Sequence, residues 1–148
     1  LDDGLTKPIY SAMTNSGDEL RIAAEQIIST NQKDTALIKS AILRIFSESG
    51  SNIFLTSDVA LINNGEKSLT LSKNVILKTS DKMEITAPKI FISLDKTLIQ
   101  ADGPITGFFG TSNIEAGKLN IFKENNSANL VISFTKGAKM VYDVNRSF

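Results

Sequence analysis

Four six-residue segments, evenly spaced along the chain, constrain the fold more than any other feature. Ile22-Ala23-Ala24-Glu25-Gln26-Ile27 aligns with Phe54-Leu55-Thr56-Ser57-Asp58-Val59. Both align with Ile85-Thr86-Ala87-Pro88-Lys89-Ile90 and Ile114-Glu115-Ala116-Gly117-Lys118-Leu119. Each begins apolar, continues with small or polar residues, and ends apolar five positions on. The starts at 22, 54, 85 and 114 lie 32, 31 and 29 residues apart. Later in each unit comes a small or turn-forming group: Lys73-Asn74-Val75, Asp102-Gly103-Pro104 and Lys136-Gly137-Ala138, with Ser40-Ala41 a weaker match in the first. Each unit therefore reads as four short strands in about 30 residues. A unit of that size cannot bury its apolar face alone, so stacked units must share one continuous core.

Local alternation agrees. Leu69-Thr70-Leu71, Val75-Ile76-Leu77, Ile85-Thr86-Ala87, Ile90-Phe91-Ile92, Leu119-Asn120-Ile121 and Leu130-Val131-Ile132-Ser133-Phe134 have a period of two. That period turns one side of each strand to a core and the other to water. Eighteen Ile, 12 Thr and 8 Phe suit a pleated surface. Asn63-Asn64-Gly65 is the strongest hairpin signal, with Asn-Gly expected to supply the positive φ of a tight turn. Thr79-Ser80-Asp81-Lys82, Leu94-Asp95-Lys96-Thr97 and Glu124-Asn125-Asn126-Ser127 are polar connections of hairpin length. Pro8-Ile9-Tyr10-Ser11 followed by Asn15-Ser16-Gly17-Asp18 reads as an entry strand and a turn. Residues 20–46 are ambiguous. Leu20, Ala23, Ala24, Ile27 and Ile28, then Leu37, Ile38, Ala41, Ile42, Ile45 and Phe46, also fall at helical spacing. The repeat favours strands there, and the helical alternative stays open.

Composition removes much chemistry. The 148 residues include no Cys and no His, which excludes thiol catalysis, disulfides, Ser-His-Asp triads and imidazole or thiolate metal sites. No metal or organic cofactor is expected. Sixteen basic and 16 acidic residues cancel, so nothing in the bulk charge draws the chain to nucleic acid. The longest apolar run, Val59-Ala60-Leu61-Ile62, is far short of the ~20 residues a spanning helix needs. Leu1-Asp2-Asp3-Gly4 lacks an initiator Met and a signal pattern, and is read as the start of a trimmed or mature form.

Pro8-Ile9-Tyr10-Ser11 with Ser16-Gly17-Asp18-Glu19-Leu20-Arg21-Ile22-Ala23-Ala24 resembles the opening of the periplasmic domain of the LptC family of lipopolysaccharide-export proteins. The rest is similar to that family and its relative LptA, through Leu69-Thr70-Leu71-Ser72-Lys73-Asn74-Val75-Ile76-Leu77, Met83-Glu84-Ile85-Thr86-Ala87, Asp102-Gly103-Pro104-Ile105-Thr106-Gly107 and Phe109-Gly110-Thr111-Ser112-Asn113-Ile114-Glu115-Ala116. The similarity runs from about residue 8 to about residue 143 and rests on order and spacing, since no catalytic signature is involved. The first unit departs from the family in lacking a Gly or Asn before its closing strand.

The resemblance implies an all-β fold, a half-open antiparallel β-jellyroll of two sheets in a V with an apolar interior. It implies one periplasmic domain over 8–144, a lead-in at 1–7 following a single-pass anchor in the full-length protein, and a frayed tail at 145–148. It places the domain at the periplasmic face of the inner membrane. There it would accept lipopolysaccharide from the inner-membrane Lpt transporter (LptF/LptG with LptB) and pass it to LptA. Groove candidates are Leu71, Leu77, Ile85, Ile92, Ile105, Phe109, Ile121, Ile132 and Phe134. Each also suits ordinary core packing. Phe108-Phe109 between glycines sends two aromatics to opposite sides of a strand, one toward solvent or a groove. Free sheet edges would serve β-augmentation. Ile9, Tyr10 and Ser11 would meet the transporter, and Met140, Val141 and Tyr142 would meet LptA.

Non-covalent lipid transfer needs no catalytic set, because each buried methylene contributes about 0.8 kcal/mol. Three other readings differ. A soluble LptA-like bridge would lack the upstream membrane helix. A protein-only scaffold would lack a lipid groove. A glycosidase would use carboxylates such as Glu84, Asp95, Asp102 or Glu115, but there is no Trp platform for a sugar.

Overall fold

The computed structural model describes residues 7–124 and 129–142. Residues 1–6 of the expected lead-in, the tail at 145–148, most of the Glu124–Ser127 turn, and Asp143 and Val144 of the last edge segment lie outside the described residues, while Lys7 already belongs to the first strand. Eleven strands follow one another: β1 (Lys7–Met13), β2 (Glu19–Ala24), β3 (Gln26–Ser29), β4 (Thr35–Phe46), β5 (Asn52–Asn63), β6 (Ser68–Thr79), β7 (Met83–Ser93), β8 (Leu98–Phe109), β9 (Ser112–Lys123), β10 (Leu130–Thr135) and β11 (Lys139–Tyr142). There is no helix among the described residues, so the helical alternative for 20–46 resolves to β2, β3 and β4.

All eleven strands belong to one antiparallel sheet in the order β1-β2-β4-β5-β6-β7-β8-β9-β10, with β3 on β4 and β11 on β9. The path ends at β1 and β10 without closing, as a half-open jellyroll requires. The two expected sheets are thus halves of one sheet, and the repeat explains how it divides. Register shifts fall between Thr56 and Val59 in β5, Ser72 and Val75 in β6, Thr86 and Lys89 in β7, and Asp102 and Ile105 in β8. Ser40 in β4 (φ 56°), Lys73 and Asn74 in β6 (65° and 55°) and Lys136 and Gly137 between β10 and β11 (60° and 80°) have left-handed backbones. These are the groups that recur in the sequence, including the weakly matched Ser40. They form a line of bends across the sheet. Bulges that insert residues in one strand locally bend the ladder.

The inward positions switch parity at the bends. In β5 they run Ile53, Leu55, then Ala60, Ile62; in β7, Met83, Ile85, Ala87, then Ile90, Ile92; in β9, Ile114, Ala116, then Leu119, Ile121. Without the switch, one half would turn its apolar side to water. With it, both halves face one core that holds Leu43, Leu55, Leu71, Leu77, Ile85 and Ile105, all fully buried. The first half-sheet carries the β1–β2, β4–β5, β6–β7 and β8–β9 turns, with β1 and β11 at its edges. The second carries the β5–β6, β7–β8 and β9–β10 connections, with β3 and β10 at its edges.

One turn corrects the sequence reading. The β5–β6 connection has its positive φ at Lys67 (54°) rather than at Gly65. It is a four-residue loop, pinned by Asn64 N–H to the Asp34 carbonyl (2.8 Å) and Glu66 N–H to Asn63 Oδ1 (3.0 Å). A Cβ on Gly65 would stand 3.3 Å from Asn63 Oδ1 and 3.4 Å from the Asp34 carboxylate, a snug fit against side chains that could shift, so neither φ nor space demands glycine there.

Candidate functional site

The interior is the candidate site, and its two regions differ. At the centre, Leu71, Leu77, Ile85, Ile92, Ile105 and Ile121 are within 1% of complete burial and belong to the packed core. Toward the edges the same inward rows emerge. Ile132 pairs with Ile121 and Phe134 with Leu119, so both face inward from β10, and both are half-buried against the core. On β11, Met140 continues the row of Ile114 and is 56% exposed. On the opposite flank, Ile27 of β3 pairs with the buried Ile38 and is 51% exposed. The interior is filled in the middle and open at its flanks. Ile27 was absent from the sequence-derived candidates, because its inward direction depends on a pairing with Ile38 that spacing alone does not reveal.

A cleft of about 290 Å³ lies beside β10, lined by Ile53, Leu130 and Ile132 with polar residues including Ser49 and Asp81. Phe108 and Phe109 end β8 beside Gly107, and each is 43% exposed. Phe109 pairs with the inward Met83 and Ser112, which puts it on the inner side at the rim; Phe108 pairs with Glu84 and lies outside. Gly107 is required there, since a Cβ would fall 2.0 Å from the Glu84 carbonyl oxygen.

At the edges, Ile9 and Tyr10 of β1 pack against the core while Ser11 is exposed. Val141 of β11 is 50% exposed, and the Tyr142 backbone pairs with Ser112. Among the described residues β1 pairs only with β2, and β11 only with β9, so each leaves one side open to another strand. Of the surface lysines, Lys78 sits 3.8 Å from Glu84 and Lys118 4.0 Å from Asp102, both cross-strand pairs on solvated faces.

One polar cluster has no counterpart in the sequence, where Ser16-Gly17-Asp18 reads as a turn. Asp18 is fully buried. Its carboxylate accepts from Lys123 Nζ (2.8 Å), from the Thr97 hydroxyl, and from the Glu48 N–H (3.0 Å). Lys123 also donates to the Ser16 carbonyl (3.1 Å) and to Glu48 Oε1 (3.3 Å). Burial works against the charge on Asp18, but Lys123, Thr97 and the Glu48 N–H outweigh it and hold the carboxyl below the usual range. Burial likewise works against Lys123, and Asp18 with Glu48 overcomes it and raises its pKa. A turn aspartate contacting residues some 80 and 105 positions away carries no local sequence signal.

The family model for LptC, described as lipopolysaccharide-assembly, LptC-related, matches residues 6–137. No curated protein matches the chain.

Proposed function

From the premise that the chain belongs to the LptC-related lipopolysaccharide-assembly family, and so takes part in lipopolysaccharide transport in the Lpt complex, we propose that it is a non-enzymatic lipid relay. The family is that of a periplasmic domain on an inner-membrane-associated protein, and no helix among the described residues is long and apolar enough to cross a membrane. In this reading the domain accepts lipopolysaccharide from LptF/LptG with LptB at the β1 edge, and passes it to LptA at the β10 and β11 edge.

The observation that carries the reading is the continuity of the inward apolar rows from a buried core to half-open flanks. Acyl chains laid against Ile132, Phe134 and the rim at Phe109 would extend the existing core. The water-excluded area would grow with no specific polar contact needed. Leu71, Leu77, Ile85, Ile92, Ile105 and Ile121 would then line the floor. The free sides of β1 and of β11, with Met140, Val141 and the Tyr142 backbone, suit strand addition by neighbouring jellyrolls.

Photo-crosslinking in cells tests this. A photoreactive residue replaces Ile132, Phe134 or Phe109, with Lys78 on the outer face as control. Lipopolysaccharide adducts at the inner sites alone are expected. A folded protein that binds its partners but gives no adduct at any inner site would be a protein-only scaffold, the reading that the filled centre itself would suit.

A further inference from the structure

The Asp18 cluster joins parts of the sheet that the strands hold far apart. Glu48 and Asp18 lie at the turn end of the first half-sheet, and Thr97 and Lys123 at the turn end of the second. A 12-residue strand is about 40 Å long at 3.3 Å per residue, so these ends meet only because the sheet is folded back at its bends. The contacts are numerous. Besides those made by Asp18 and Lys123, the Asn15 N–H donates to the Asp95 carbonyl (2.8 Å), and the Thr97 hydroxyl lies 3.3 Å from that of Thr14 and 3.0 Å from that of Ser16. The bends are the hinge of a doubled sheet, and this cluster joins its free ends.

We propose that the Asp18–Lys123–Thr97 cluster is a releasable latch that holds the two half-sheets together over the apolar interior, and that its opening admits acyl chains to the filled centre. The second clause rests on the lipid-relay reading; the first stands without it. Two arguments support it. The centre has no room in the closed state, since its residues are fully buried, so a chain reaching beyond the flanks requires the halves to part. The chemistry of the clasp also suits reversible opening. A buried ion pair adds little net stability over an apolar contact of the same shape, but its ions regain hydration on separation. An apolar clasp would instead expose more greasy surface. A directional charged network therefore gives two discrete states, joined or hydrated.

The test uses the absence of cysteine in the natural chain. Ser16 and Thr97 hydroxyls 3.0 Å apart place Ser16→Cys/Thr97→Cys as a cross-link between the two ends; it keeps the Asp18–Lys123 pair but removes the Thr97 hydroxyl donor, so the reduced double variant is the reference for the oxidised one. Two readouts are taken on the purified chain, oxidised and reduced. Amide hydrogen exchange reports the motion itself. The latch predicts that oxidation slows exchange in the inward strands of both halves, and that Lys123→Met speeds it there more than in the hairpin turns. Equal exchange in the oxidised and reduced forms, or a uniform rise in Lys123→Met, would overturn the latch. Binding of purified lipopolysaccharide reports its role. Oxidation is expected to weaken binding about tenfold, with recovery on reduction, because chains confined to the flanks bury less apolar surface than chains that also reach the centre. Equal binding by both forms would overturn the gating role. Absence of binding by either form, with slowed exchange on oxidation, would sink the lipid-relay reading and leave the latch standing.

Discussion

Asp18 illustrates how one buried carboxylate can depend on the whole fold. Its partners come from the β4–β5 turn, the β7–β8 turn and the end of β9, so its charge is satisfied only in the doubled sheet. Removing one side strands the other. Lys123→Met is expected to cost about 3–5 kcal/mol, and Asp18→Asn a similar amount, because each leaves an uncompensated buried charge. The double variant should recover part of that loss, and urea denaturation of all four proteins gives the coupling energy directly. The sign of the pH dependence follows from the two shifts. The depressed Asp18 pKa contributes stability that is present above its unfolded value of about 3.9 and lost as pH falls through the folded one. The raised Lys123 pKa contributes stability that is present below about 10.4 and lost as pH rises through the folded value. Melting temperature should therefore hold steady between these limits and fall on both sides, and the acid-side fall should be shallower in Asp18→Asn.

At the scale of elements, the bends decide the architecture. Asn74 has φ 55° and donates through Nδ2 to Asp58 Oδ2 at 2.6 Å, tying the bend of β6 to that of β5. Asn tolerates a left-handed backbone and a β-branched residue does not. Asn74→Val should cost about 1–2 kcal/mol, whereas Lys73→Gly should be neutral or slightly stabilising; chemical denaturation separates the two. Gly107→Ala should be worse than either, since its Cβ would overlap the β7 backbone. Much of this level was legible in the sequence, since alternation placed the strand segments; the small or turn-forming residues at Ser40, Lys73-Asn74 and Asp102–Pro104, which read as breaks between four short strands per unit, are instead bends inside the long strands β4, β6 and β8. Three features were not legible. The helical spacing in 20–46 came from the parity switch at Ser40 and the exposed strand β3, which together mimic a 3.6 period. The positive φ of the β5–β6 loop fell on Lys67 because four residues, not two, close that turn. Core and flank could not be separated, because burial along an inward row depends on how many strands lie beyond it.

That dependence on neighbouring strands sets the behaviour of the whole molecule. The inward rows are chemically uniform, yet Ile121 is enclosed by the strands on either side of it while its β10 neighbour Ile132 borders the opening. A charge placed at the two positions therefore meets different surroundings. Leu71→Asp or Ile92→Asp buries an unpaired carboxylate in the packed centre and should prevent folding, seen as loss of the cooperative melting transition. Ile132→Asp or Phe134→Asp can turn its carboxylate toward water at the flank. Either should leave a folded chain, destabilised by about 1–3 kcal/mol because less apolar surface is buried there. If lipid lies along the flank, those same folded variants should lose the lipopolysaccharide adduct formed by a photoreactive residue at Phe109, because the acyl chains would have to desolvate the new charge. Retention of that adduct in folded Phe134→Asp would move the lipid path off β10 and toward the β3 flank, where Ile27 offers the other exposed inward position.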